Sequence, residues 1–193
     1  MKPGYTPSGY WERRYRDGRS SGPGSEGQTA IDKAEYVNHF IQALNIESVV
    51  DWGVGDGTVL DGITRGVRYL GLDVSETAVD RLRRRYASLP LWDFEQVTED
   101  YSGPYDLHEL SLSMDVLFHL IDDQHYWAYL NNLFGHASRY VIIYSTNYGP
   151  ARTARHVLRR RFTPDVAASF PEWELLKSAD DPGAAGFYVY GRS

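Results

Sequence analysis

The chain has no cysteine, which excludes disulfides, thiolate metal sites and a cysteine nucleophile. No apolar run approaches the roughly 20 residues of a membrane helix, and the start, Met1-Lys2-Pro3-Gly4-Tyr5, has no apolar core of signal-peptide length. The expectation is a soluble, cytoplasmic protein with no membrane partner. Excess positive charge is also missing: 20 Lys and Arg against 26 Asp and Glu leave a formal net charge of −6. Nonspecific nucleic-acid affinity comes from clustered cations, so a nucleic-acid partner is not expected. One local exception is Arg152, Arg155, Arg159, Arg160 and Arg161 around His156. Two readings of it stand open, a site for phosphate, carboxylate or sugar hydroxyls and a solvated helix face laced with ion pairs.

What is present suits a single α/β domain. A chain of 193 residues, 42% of them hydrophobic, covers one sheet but not two independent cores. Residues 1–27 are rich in Gly, Ser, Pro and aromatics, and Ser20-Ser21-Gly22-Pro23-Gly24-Ser25 has the composition of irregular chain. This stretch is a flexible lead, or, through Tyr5, Tyr10, Trp11, Arg14 and Tyr15, a lid over a ligand. Residues 28–193 form the domain. Apolar spacing predicts a helix over 29–44, with His39 on its surface. Strands and helices then alternate: strand 48–52, helix 58–64, strand 68–72, helix 76–87, strand 89–94, strand to 114, helix 122–134 and a buried strand at 140–144. Residues 173–176 and 187–190 read as two closing strands around a Pro-Gly turn. The sheet should be mainly parallel.

The segment Val49-Val50-Asp51-Trp52-Gly53-Val54-Gly55-Asp56-Gly57-Thr58 joins the first strand to the next element through glycines at alternate positions. Such a loop turns with positive φ and lets a ligand approach without meeting a Cβ. Its spacing differs from the dinucleotide fingerprint, which would place a third glycine where Thr58 stands. Asp51 ends the strand before the glycines, and Asp73 ends the next one. In an open α/β sheet ligands lie beyond the carboxyl ends of the strands, which puts Asp73 at a ribose and Asp51 at a cationic amino acid end.

Asp51, Gly53, Gly55, Gly57 and Asp73 resemble the first two motifs of the class I S-adenosylmethionine-dependent methyltransferases. The resemblance continues through Leu91-Trp92-Asp93-Phe94, where that family ends its third strand with an acid and an apolar residue around the adenine. It extends through Ser111 to Leu120, similar to the family's fourth strand and the helix after it. It implies a Rossmann-like domain with a seven-stranded, mainly parallel sheet and an antiparallel C-terminal hairpin. It also implies S-adenosylmethionine as cofactor, with S-adenosylhomocysteine as product. The cofactor residues it implies are Asp51, Gly53, Gly55, Gly57, Asp73, Val74, Asp93, Phe94, Ser113, Met114 and, from the lead, Tyr15.

Methyl transfer from a sulfonium is an in-line displacement, so the protein must hold the acceptor behind the methyl carbon and, for a hydroxyl, take its proton. His119, one helical turn after Asp115, is the candidate base, acting alone or with Asp115; the other reading of His119 is a hydrogen-bonded helix residue. Tyr144 and Asn147, at the end of the buried strand, are candidate acceptor contacts, and His156 and Arg160 join them because His156-Val157-Leu158-Arg159-Arg160-Arg161-Phe162-Thr163 resembles a segment that follows the same strand in small bacterial methyltransferases. No Asn-Pro-Pro-Tyr or Asp-Pro-Pro-Tyr run follows the fourth strand, and Thr146-Asn147 stands where a metal-binding acid would be needed. A base amine is thereby disfavoured as acceptor, and a magnesium ion has no support. A hydroxyl of a sugar or oligosaccharide is the favoured acceptor, in a monomer or homodimer. The alternatives are N-methylation of a small amine or amino acid, and a noncatalytic cofactor-binding module.

Overall fold

Residues 6–104, 106–181 and 183–193 are described by a computed structural model. The chain divides into two compact units at Thr98/Glu99. In the first, Ser48–Trp52 is buried along its whole length and forms β1, as a run without polar alternation does in a sheet covered on both faces. It pairs in parallel with β2 (Arg68–Asp73), so that Asp51 lies opposite Gly71. β2 in turn pairs in parallel with β3 (Trp92–Gln96).

Two helices precede β1. α1 (Pro7–Arg16) starts at Thr6, whose side chain accepts from Gly9 N, and has Pro7 in its first turn, where the missing N–H costs nothing. α2 (Gly27–Leu44) buries Ala30, Lys33, Ala34, Val37 and Ile41 along one face and leaves His39 exposed. It stops at Asn45, held in the left-handed conformation at φ 50°. Among its described residues the lead thus holds a ten-residue helix, followed by a 3-10 turn at Pro23–Ser25 in its Gly/Ser-rich part. Tyr5 lies outside the described residues.

The helix expected over 58–64 is replaced by one 3-10 turn, Val59–Gly62. Gly57 at φ +77° sets the chain off at an angle, and a Cβ at Gly62 would stand 2.7 Å from that of Ala34, so the short link lies tight against α2. α3 (Glu76–Arg85) follows β2 and is capped by Ser75, whose Oγ accepts from Ala78 N. Beneath β2, Tyr69, Tyr86, Trp92 and Phe94 form an aromatic cluster with Tyr69 stacked on Trp92 at 4.8 Å and Tyr86 on Phe94 at 5.7 Å.

In the second unit β4 (His108–Met114) runs parallel to β5 (Ala137–Ser145), with α4 (Asp123–Gly135) between them in sequence. The closing strands β8 (Trp173–Lys177) and β9 (Gly186–Arg192) are antiparallel to each other, and β9 to β5. Gly183 follows β8; Pro182, the other half of the expected turn, is outside the described residues. Phe134 anchors the core here, stacked on Phe170 at 4.7 Å with Trp173 and Tyr190 at its edges.

One stretch of this unit differs from the sequence expectation. The arginine-rich segment is not a helix face but a hairpin, β6 (Ala151–Ala154) and β7 (Val157–Arg159), followed by α5 (Phe162–Ser169). Along the sheet the strands fall in the order β3-β2-β1-β4-β5-β9-β8, a mostly parallel, Rossmann-like sheet ending in an antiparallel hairpin.

Candidate functional site

In the loop after β1, Gly53, Gly55 and Gly57 have φ of +85°, +66° and +77°, a region that side chains with a Cβ avoid. The backbone N–H groups of Gly53 and Val54 donate to Leu72 O at 2.7 and 3.0 Å, which bends the chain across the end of β2. Asp73 completes the bend: its Oδ2 accepts from Gly55 N and its Oδ1 from Ser75 N, each at 2.9 Å. Sequence reasoning assigns Asp73 to a ribose alone. The structure adds that it ties the glycine loop to the start of α3, each of these bonds using one of the about four acceptor positions of a carboxylate. Burial lifts the Asp73 carboxyl to about 6, against the pull of the N–H groups of Ser75, Gly55 and Val74.

Asp51 is buried, and its Oδ2 accepts from Tyr69 OH at 2.5 Å. Its Oδ1 has no hydrogen-bond partner among the described residues. Burial raises this carboxyl to about 7; the Tyr69 hydroxyl opposes the rise, the Asp73 charge adds to it, and buried Lys33 works against it. A buried carboxylate oxygen without a donor is costly, and a cationic ligand group supplies what it lacks. The residues present thus fit a ligand with an ammonium at one end and hydroxyls at the other.

The lead packs onto this loop through Ser21 and Tyr15. Ser21 N donates to Asp56 Oδ2 at 2.5 Å, and Asp56 N donates to Ser21 Oγ at 3.1 Å. Asp56 Oδ1 also takes Thr58 N and Thr58 Oγ1, a local turn that the Asp-Gly-Thr run encodes. Tyr15 is buried with its hydroxyl 3.1 Å from Ser21 Oγ. A Cβ on Gly55 would meet both residues, at 2.6 Å from Ser21 Oγ and 3.1 Å from Tyr15 OH. Burial and the nearby Asp73 charge push the Tyr15 phenol up, so it stays a neutral hydroxyl. One turn earlier, Glu12 receives Thr77 Oγ1 at 2.5 Å, Ser75 Oγ at 2.7 Å and Thr77 N at 3.2 Å, a carboxylate at the positive end of α3. Its pKa is lowered, chiefly by the Thr77 hydroxyl.

Asp93 and Phe94 do not end the third strand. The strand runs on to Gln96, the register sets Asp93 opposite Leu70 and Gln96 opposite Asp73, and Asp93 is exposed. Phe94 is buried under Gly71, where a Cβ would lie 2.7 Å from its ring. The carboxyl end of β3 is instead Gln96, whose Nε2 donates to the carbonyl of half-buried Val74 at 3.3 Å, and Val97, whose N–H donates to Asp73 O. The strand begins later than its apolar residues imply, because Leu89 closes a turn onto Trp92 N.

In the second unit, β4 ends at Met114, and buried Ser113 accepts from Tyr129 OH at 2.8 Å. Asp115 has φ +60°, a conformation that a non-glycine residue adopts at a cost, and its N–H donates to Tyr144 O at 2.9 Å. Asp115 and His119 therefore do not share a helix face; the chain turns at Asp115 and only Leu117–His119 is a 3-10 turn. The His119 Nδ1 is 3.0 Å from His156 O, and the two imidazoles are stacked at 5.5 Å and 10°. A carbonyl accepts only, so Nδ1 carries a proton, and in the neutral imidazole the lone pair is on Nε2.

Of the remaining candidates, Tyr144 is half-buried with Phe187 against its ring. Asn147 is buried and binds Thr163 twice, Nδ2 to Oγ1 at 2.9 Å and Oδ1 from N at 3.3 Å, which fastens the end of β5 to α5. Arg160 is turned to Leu120 O and to Asp123, 2.8 Å from its Oδ1, and covers the Tyr126 ring. Its neighbour Arg159 donates to Thr146 Oγ1 at 3.1 Å and lies over Tyr148 and Phe118.

No family model and no curated protein matches the sequence. Solved structures do. The 1,6-didemethyltoxoflavin-N1-methyltransferase of Burkholderia thailandensis, solved with bound 1,6-didemethyltoxoflavin and S-adenosylhomocysteine, superposes with a TM-score of 0.71 at 18% identity, over 100% of this chain and 92% of that one. The chain has the methyltransferase fold. Magnesium protoporphyrin IX methyltransferase from Synechocystis, solved with S-adenosylmethionine, gives 0.69 at 14% identity over 100% of both chains. The N-terminal domain of EvdMO1, solved in the presence of S-adenosylhomocysteine and D-fucose, gives 0.60 at 16% identity over 88% of this chain and 84% of that one.

Proposed function

We propose that the protein is an S-adenosylmethionine-dependent O-methyltransferase that acts in the cytoplasm on a hydroxyl of a sugar or similar small polar acceptor. The observation that carries the cofactor assignment is Asp51 Oδ1, a buried carboxylate oxygen without a donor beside three left-handed glycines. When bound, the cofactor supplies an electrophilic methyl group on a sulfonium. Asp51 takes its ammonium, Asp73 its ribose hydroxyls, Val74 covers the base, and Tyr15 and Ser21 close the lead over the loop. Gln96 and Val97 replace Asp93 and Phe94 as the third strand's contribution. Ser113 and Met114 keep the places that the family resemblance implies.

The acceptor side draws on Asp115, His119, Tyr144 and His156. The hydrogen bond from His119 Nδ1 to His156 O supports His119 as the base, because it holds the lone pair on Nε2. A hydroxyl acceptor needs that lone pair to take its proton, whereas a neutral amine attacks without a base. The aromatic lead, the small domain and the arginine-histidine segment after β5 resemble the mycobacterial sugar 1-O-methyltransferase of methylmannose polysaccharide synthesis, which makes a mannoside the first acceptor to try. The similarity of fold to an N1-methyltransferase keeps amines as the rival class. An acceptor screen with methyl-labelled cofactor tests the reading: transfer to glycosides is expected, and transfer to amines but to no glycoside overturns it.

A further inference from the structure

At the carboxyl end of β5 a cavity of about 480 Å³ is lined by Asn147, Tyr148, Arg161, Ser178 and Tyr188, among others. That is the size range of small-molecule sites. Its lining combines two aromatic rings, an amide, a hydroxyl and one guanidinium. Arg161 is exposed, and among the described residues it has no hydrogen-bond or ion-pair partner for its side chain. Arg159, two residues earlier, reaches Thr146 Oγ1 and stacks over Tyr148 at 5.4 Å and Phe118 at 5.8 Å. Its Nε is buried without a partner, and no carboxylate pairs with it among the described residues. Tyr148 thus has Arg159 over its ring and shares the cavity lining with Arg161.

Acids outnumber bases in this chain by 26 to 20, and Arg160, between these two, does find one in Asp123. Arg161 lines the cavity and Arg159 lies over the Tyr148 ring, neither with an ion-pair partner among the described residues, while the charge of Asp181 bears on Tyr188 of the same lining; two guanidinium groups against that one carboxylate leave a local positive charge. A guanidinium stacked on aromatic rings is weakly hydrated and matches a carboxylate or phosphate edge with parallel N–H donors. We propose that the acceptor carries an anionic group as well as the hydroxyl to be methylated, and that Arg161, with Arg159 over the ring of Tyr148, receives this anion in the cavity. The inference deepens the acceptor assignment made above and rests on it. Tyr148 and Tyr188 would face the sugar ring, and Asn147 and Ser178 its hydroxyls.

Calorimetry of the full chain with D-glucose, D-glucuronate and D-glucose 6-phosphate tests it without turnover. The charged sugars are expected to bind about 10-fold or more tightly than glucose, as hydrogen bonds to charged groups do relative to none, and to lose the advantage in added salt. Arg161→Gln, at an exposed position, should reduce them to the level of glucose, with Arg159→Gln as a second variant and Arg152→Gln, whose guanidinium donates to Arg155 O and is not in the cavity lining, as the unchanged control. A preference for glucuronate assigns a carboxylate and a preference for the phosphate ester a phosphoryl group. Glucose binding as tightly as either, or a charge preference that survives Arg161→Gln, overturns the proposal. A separate titration with S-adenosylhomocysteine distinguishes its failure from that of the methyltransferase reading: loss of that binding with the charge preference intact removes the cofactor and leaves the anion site.

Discussion

At the scale of the residue, Asp51 and Asp73 are carboxylates that burial makes reluctant to ionise, raised from 3.8 to about 7 and about 6. The ligand-free folded protein therefore holds protons that the unfolded chain has released. The stability that these protons contribute is complete below pH 3.8, and it is lost as pH rises through about 6 and then about 7. A cationic ligand favours the ionised forms, so its binding should strengthen from about pH 5.5 to about pH 8 and release protons. Calorimetry in buffers of different ionisation enthalpy checks this, and a pH-independent affinity with no proton release contradicts it. Asp51→Asn keeps an acceptor for Tyr69 and removes the buried charge. It should leave the ligand-free melting temperature at about pH 8 equal or higher while cutting cofactor affinity about 10-fold or more, the cost of a hydrogen bond to a charged group. His119→Ala should lower turnover of a hydroxyl acceptor by about 10² to 10⁴, the range for a general base, with S-adenosylhomocysteine affinity unchanged. Unchanged turnover removes His119 from the chemistry.

At the scale of the element, β1, α2 and the closing strands were legible because burial stamps its period on the residues: Ser48–Trp52 is apolar enough to be covered on both faces, and Ala30, Ala34, Val37 and Ile41 mark one side of a helix. Where local pattern and tertiary packing part, the pattern misleads. The 59–62 turn looks like a helix start until α2 leaves it no room, and β3 is displaced because Leu89 is spent on a turn. The hairpin of Ala151–Ala154 and Val157–Arg159 is too short for alternation to register against five arginines. Of the site, the loop and its acids could be read directly, since glycine and carboxylate chemistry is local. The partners Glu12 and Ser21 could not, as nothing in a serine or glutamate announces a contact 35 or 63 residues away. Glu12 makes α1 a latch on the start of α3. Glu12→Ala should raise amide exchange across residues 7–21 and speed cofactor release, and unaltered exchange there contradicts the latch. Because the Glu12 pKa is lowered from 4.5, its contribution is present above that value and is lost as pH falls through the lower folded one.

At the scale of the whole molecule, the sheet order and its antiparallel end give the methyltransferase fold, shared at 14% to 18% identity with enzymes whose acceptors differ widely. A fold in common does not select a reaction. No helix among the described residues is long and apolar enough to cross a membrane. The cofactor assignment rests on what the loop holds: three glycines in left-handed turns, a carboxylate that binds the loop's own backbone and another with an unanswered oxygen. Titration of the full chain with S-adenosylhomocysteine, read by calorimetry and by melting temperature, tests that assignment most directly. One site per chain is expected and, at a hundredfold excess over Kd, a rise in melting temperature of about 5 to 10 °C, from roughly 2.7 kcal/mol of ligand linkage in a domain of this size. Absence of heat together with an unmoved melting temperature would contradict it.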